Sequence, residues 1–121
     1  MHHVNLGIPP GSFSDERAFL ELLGYLAVDP GDGAKGLGAK VWFSGSDGAE
    51  IHLSTDPEHR PAARAHTAVW LDDDLVPATA RLRDAGYELS ERTFDGWRHV
   101  FTVDPAGNRW ELVGPPAARD D

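Results

Sequence analysis

The sequence predicts an α+β fold built from two β-α-β-β-β modules. Three observations carry that reading. Two segments, "HVNLGI" from His3 and "HTAVWL" from His66, alternate with the two-residue period of a half-buried strand. Each is followed by an amphipathic helix signal that ends in the same dipeptide, Gly24-Tyr25 and Gly86-Tyr87. Matching landmarks recur at a nearly constant offset: 63 residues from His3 to His66, 62 from Gly24 to Gly86 and 59 from His52 to Glu111.

In the first strand Val4, Leu6 and Ile8 face the helix, which leaves His3, Asn5 and Gly7 opposite. The helix in "GSFSDERAFLELLG" takes Ser14 as N-cap, carries a stripe of Phe19, Leu22 and Leu23, and stops at Gly24. A short strand is expected near 26–28. "AKVWF" then leads through the turn "SGSDG" into "AEIHLS", where Ile51 and Leu53 go to the core and Glu50, His52 and Ser54 point away.

The second module repeats the plan. Thr67, Val69 and Leu71 face the helix, and His66, Ala68 and Trp70 face away. Asp73 or Asp74 caps the next helix, Pro77 falls in its first turn, and Leu75, Ala78, Leu82 and Ala85 form its stripe before Gly86. A short strand is expected near 88–90. "RHVFTV" follows, apolar on both parities, so neither its register nor the role of His99 is readable. It leads through "DPAGN", a type I turn with Pro105 second and Gly107 fourth, into "RWELV". There Trp110 and Leu112 go in, and Arg109, Glu111 and Val113 stay opposite.

With 121 residues the chain suits one compact domain: module one over 1–56, a connector over 57–65, module two over 66–114, and a disordered tail over 115–121. There is no cysteine, so disulfides, thiolate ligands and cysteine nucleophiles are excluded. The net charge of −9 would repel phosphate backbones, so no nucleic-acid partner is expected. No apolar run could span a membrane, and "MHHVNLG" lacks the regions of a secretory signal; a cytoplasmic protein is expected.

Parity then selects four metal-competent side chains on the non-helical faces: His3, His52, His66 and Glu111, which open and close the two modules. His2 has the opposite parity and no counterpart, and His59 lies in the connector, where solvation is expected. Trp70 and Arg109 share faces with His66 and Glu111, and Asn5 shares one with His3. These three are the candidates for substrate contact, although each also reads as an ordinary sheet-face residue.

"HHVNL", "AHTAVWLDD" and above all "DPAGNRWELV", set in paired β-α-β-β-β modules, resemble the vicinal oxygen chelate superfamily. That superfamily includes glyoxalase I, fosfomycin- and bleomycin-resistance proteins, extradiol dioxygenases and methylmalonyl-CoA epimerase. The resemblance spans about residues 2–114. It implies a U-shaped mixed sheet with helices outside, a divalent metal held at the positions of His3, His52, His66 and Glu111, and a homodimer. Where glyoxalase I has a glutamate this chain has His52, and where it often has an arginine for its glutathione conjugate this chain has Gly7.

Three imidazoles and one carboxylate suit Zn, Ni, Fe, Mn or Co and would leave two octahedral positions for adjacent oxygens of a small substrate. By resemblance Glu111 doubles as the proton-transfer group. The reading is a metal-dependent lyase, isomerase or dioxygenase of glyoxalase type. The competing reading is a non-catalytic binding protein of the bleomycin-resistance type.

Overall fold

The computed structural model describes residues 3–28, 40–45, 50–61 and 64–116. Residues 46–48 of the turn read over 44–48, and the tail beyond residue 116, lie outside the described residues. The chain divides into two compact units, Met1–Pro61 and Ala62–Asp121. The division falls inside the stretch read as a connector.

Unit one contains β1 (His3–Ile8), α1 (Phe13–Leu22), β2 (Leu26–Val28), β3 (Lys40–Ser44) and β4 (Glu50–Thr55). Unit two contains β5 (His66–Trp70), a single 3-10 turn at Asp72–Asp74, α2 (Leu75–Asp84), β6 (Ser90–Phe94), β7 (Trp97–Val103) and β8 (Arg109–Gly114). Each unit forms its own four-stranded sheet, ordered β1-β4-β3-β2 in the first and β5-β8-β7-β6 in the second. In both, the first and last strands of the module run parallel and the remaining pairs run antiparallel. The fold is therefore α+β, two β-α-β-β-β modules with the same strand order.

The repeat extends to register. In unit one His3 pairs with Glu50 and Val4 with Ile51; in unit two His66 pairs with Arg109 and Thr67 with Trp110. The offsets read from the sequence thus mark structurally equivalent rungs.

The predicted core faces hold. Ile8, Phe19, Leu23, Ile51 and Leu53 are buried in unit one, and Leu75, Ala78, Leu82, Trp110 and Leu112 in unit two. The ring of Phe13 on α1 lies 6.4 Å from that of Phe43 on β3, which puts the helix over the Val4-Ile51-Phe43 face. Gly24 and Gly86 stop the helices with φ of 98° and 93°, a conformation that favours glycine.

Several details differ from expectation. The N-cap of α1 is Ser12, not Ser14, because the helix starts two residues earlier, at Phe13. Its buried stripe also takes in Leu20 and Glu16, while Leu22 is only half-buried. Asp74 caps α2 as read, without a side-chain hydrogen bond, and Ala85 is exposed while Thr79 is buried. The short strand of module two lies at Ser90–Phe94 rather than 88–90, since its pairing partners are Trp97–Phe101. His59 is half-buried rather than solvated; its Nδ1 would lie 3.3 Å from a Cβ on Gly7, so a side chain at that rung would meet an imidazole.

The turn of the most specific motif is a structural staple. Gly107 N–H donates to Asp104 C=O at 2.9 Å, closing the type I turn, and Gly107 has φ 86°. The carboxylate of Asp104, only 4% exposed, accepts from Ala106 N–H at 3.0 Å, Asn108 N–H at 2.8 Å and the indole N–H of Trp110 at 2.9 Å. A buried charge is tolerable there because three donors satisfy it. Among the described residues no helix is long and apolar enough to cross a membrane.

Candidate functional site

In unit two, cross-strand pairing fixes which side chains share the face away from α2. Glu111 on β8 lies beside Ala68 on β5 and Phe101 on β7; Arg109 lies beside His66 and Val103; Val113 lies beside Trp70 and His99. Directly paired residues project to one face. His66, Trp70, His99, Phe101, Arg109 and Glu111 therefore share it, while Val100 and Thr102 turn into the core.

Glu111 sits between two imidazoles. His66 Nε2 lies 2.8 Å from its Oε1, and His99 Nδ1 lies 2.8 Å from its Oε2. An ionised carboxylate only accepts, so each ring presents its nitrogen as the donor or shares a cation with the oxygen. The other nitrogen of His66, Nδ1, lies 3.3 Å from the carbonyl oxygen of Arg64. A neutral imidazole has one N–H and cannot donate to both acceptors. Either the ring carries two N–H groups, or Nδ1–H donates to Arg64 and the Nε2 lone pair faces a cation or a proton shared with Glu111. The second arrangement is the usual one for a metal-ligating histidine, whose far N–H is tied to a carbonyl. The donor set of unit two thus fits a divalent ion.

The surroundings are aromatic. The ring of Phe101 meets His66 edge-on at 6.3 Å, and Phe94 meets His99 edge-on at 6.0 Å. Trp70, 49% exposed, lies 4.7 Å from Trp97. It covers the far end of the face from His66, where its partner is another indole. Arg109, next to His66 in register, lines a cleft of about 740 Å³ together with His66 and Phe101.

In unit one, the equivalent rungs carry His3, Asn5 and Gly7 on β1 against Glu50, His52 and Ser54 on β4. Pairing sets His3 beside Glu50 and Asn5 beside His52, so the two predicted histidines are two rungs apart on adjacent strands. His52 is 7% exposed, and its Nε2 lies 3.0 Å from Glu50 Oε1. Asn5 is engaged by a neighbour: Ser54 Oγ donates to Asn5 Oδ1 at 2.9 Å.

Of the predicted ligands, His66 and Glu111 touch directly, and His3 and His52 stand two rungs apart on adjacent strands of their own sheet. Among the described residues no group of three or more His, Cys, Asp or Glu side chains stands in ready metal-binding geometry. The partner that sequence reasoning missed is His99. Parity could not find it in a strand apolar on both sides, but counting back from Glu111 across the "DPAGN" turn pairs His99 with Val113 and puts both on Glu111's face.

No family model and no curated protein matches the chain. Solved structures do. A protein described as a glyoxalase family protein from Bacillus anthracis has a TM-score of 0.80 at 26% identity, covering 95% of this chain and 93% of that one. A glyoxalase/dioxygenase from Nostoc punctiforme gives 0.72 at 20% identity over 95% and 90% of the two chains. The fosfomycin resistance protein FosX from Listeria monocytogenes gives 0.71 at 18% identity over 97% and 93%. With the repeated β-α-β-β-β modules and their matching registers, these likenesses bear out the resemblance to the vicinal oxygen chelate superfamily, in its small two-module form.

Proposed function

We propose that the protein is a metal-dependent enzyme of the glyoxalase–dioxygenase type, acting on a small oxygen-rich molecule. The observation that carries the reading is the Glu111 carboxylate held 2.8 Å from His66 Nε2, with the far nitrogen of His66 turned to a backbone carbonyl. His3, His52, His66 and Glu111 are the residues that would hold a divalent ion, Zn, Ni, Fe, Mn or Co. Such an ion, when bound, supplies Lewis-acid stabilisation of a developing negative charge on substrate oxygen.

The chain's own groups account for the rest. Glu111 has one oxygen toward His66 and the other toward His99, so it can accept a proton from substrate while His99 keeps the carboxylate oriented. Phe101, Trp70 and Trp97 supply apolar surface on that face, against which the uncharged part of a substrate can lie. Arg109 and Asn5 are the polar groups we assign to substrate contact. We infer a homodimer as the working form, as is common in the superfamily. The glyoxalase and dioxygenase likenesses support an enzyme over a sequestering protein of the bleomycin-resistance type.

The test is a screen of untagged protein, loaded in turn with each metal, against α-ketoaldehyde–thiol adducts, catechols and acyl-CoA esters. Turnover of one class that Glu111→Gln lowers at least about 100-fold supports the reading. Turnover unaffected by Glu111→Gln, or none with any metal, contradicts it.

A further inference from the structure

The cleft beside His66 has a charge that the rest of the chain does not. Overall the chain carries 20 acidic and 11 basic residues. The cleft is lined by three arginines, Arg64, Arg92 and Arg109, and by a single carboxylate, Glu88. A positively charged concavity in a strongly acidic protein concentrates anions there against the general field. Among the described residues neither Arg64 nor Arg92 is in an ion pair.

Strand pairing relates this cleft to Glu111. Arg109 pairs with His66 across β8 and β5, Arg92 pairs with His99 across β6 and β7, and Phe101 pairs with Glu111 across β7 and β8. Arg92 and Arg109 therefore share the face that carries Phe101 and Glu111. His66 belongs to both places: it lines the cleft, and its Nε2 touches Glu111. A molecule with its charged end among the guanidiniums would lay its uncharged part along Phe101 and His66, toward the carboxylate. Guanidinium forks match planar carboxylate and phosphate oxygens with paired hydrogen bonds.

We propose that this cleft binds the anionic end of the substrate, so that the substrate class is a small carboxylate or phosphate ester rather than a neutral molecule. The proposal rests on reading the Glu111 face as the substrate site. It also gives Arg109 a second charged companion in Arg92, a residue of an edge strand that periodicity does not reveal.

The experiment uses full-length protein stripped of metal with chelator, at constant ionic strength. Citrate and inorganic phosphate are titrated separately and followed by amide chemical shifts. Saturable shifts centred on Ser90, Phe101 and Arg109 are expected with at least one of the two probes, and the comparison between them separates carboxylate from phosphate preference. Arg92→Gln and Arg109→Gln should each weaken binding about tenfold, and the double variant should not saturate. Glu88→Gln should tighten it. Shifts that fail to saturate in the wild type, that map elsewhere, or that persist unchanged in the double variant overturn the proposal. Because no metal is present, the result is independent of whether His66 and Glu111 hold an ion. Wild-type metal content in the double variant separates loss of the anion site from loss of the metal site.

Discussion

His66 and Glu111, 45 residues apart in the chain, meet side chain to side chain at 2.8 Å. They start from adjacent strands of one sheet, β5 and β8, on the face that α2 leaves uncovered. The contact joins two positions that strand parity selects from the sequence, and it sets the roles of the residues around it.

His99 holds the second oxygen of the same carboxylate at 2.8 Å. We expect His99→Ala to weaken metal binding about 10- to 100-fold by freeing Glu111 to turn, which is less than the loss in His66→Ala. Competition with a chromogenic chelator measures both. Equal losses would make His99 a ligand in its own right, and no loss would mean that the carboxylate is oriented by other groups.

Asp104 joins three N–H donors in a buried turn. Asp104→Ala removes those three hydrogen bonds and should cost about 3 kcal/mol of folding stability, read from urea unfolding. Trp110→Phe removes one of the three bonds while keeping an aromatic ring, and should cost about 1–2 kcal/mol. The Asp104–Asn108 turn of the segment that carries the resemblance is thus explained by folding, while Glu111 further along the same segment belongs to the candidate site.

Gly114 ends β8 against the start of α2. A Cβ there would lie 2.7 Å from Leu75 Cβ and 2.9 Å from the Asp72 carbonyl oxygen, so Gly114→Ala should destabilise by about 1–3 kcal/mol. A thermal melt checks this. An unchanged midpoint would mean that the strand end can withdraw from the helix.

Glu91 and Arg98 form the closest ion pair on the β6-β7 hairpin, Oε1 to Nε at 2.6 Å. The hydrogen bond from Arg98 lowers the Glu91 carboxyl below its ordinary value, against the opposing effect of burial. The folded state therefore binds this proton less readily than the unfolded chain. The pair's contribution is present above the ordinary carboxylate range and is lost as pH falls through the lowered value. The pair is partly exposed, so the contribution is below ~1 kcal/mol. Glu91→Gln should flatten the acid limb of a stability–pH curve and leave the alkaline limb unchanged.

Much of this was legible because the chain carries its plan twice. The offsets of 63 and 59 residues between landmarks reappear as the paired rungs His3–Glu50 and His66–Arg109. Core faces followed from parity wherever one side of a strand was polar. Three features were not legible, each for a physical reason. β6 is "SERTF", exposed at every residue, and an edge strand of that kind has no apolar alternation to read. β7 is apolar on both faces because Val100 packs in the core while Phe101 and Val103 line the other side, which hid His99. The start of α1 was read at Ser14 while Ser12 caps the helix, because a serine inside the first turn looks in sequence like the cap itself.

Elemental analysis of untagged protein and five single variants tests most directly the proposal that His3, His52, His66 and Glu111 are ligands of a divalent ion. The account predicts about one metal per site in the wild type, severe loss in His3→Ala, His52→Ala, His66→Ala and Glu111→Ala, and retention in His2→Ala. Metal-free wild type, full occupancy in His52→Ala, or equal effects of His2→Ala and His3→Ala would contradict it.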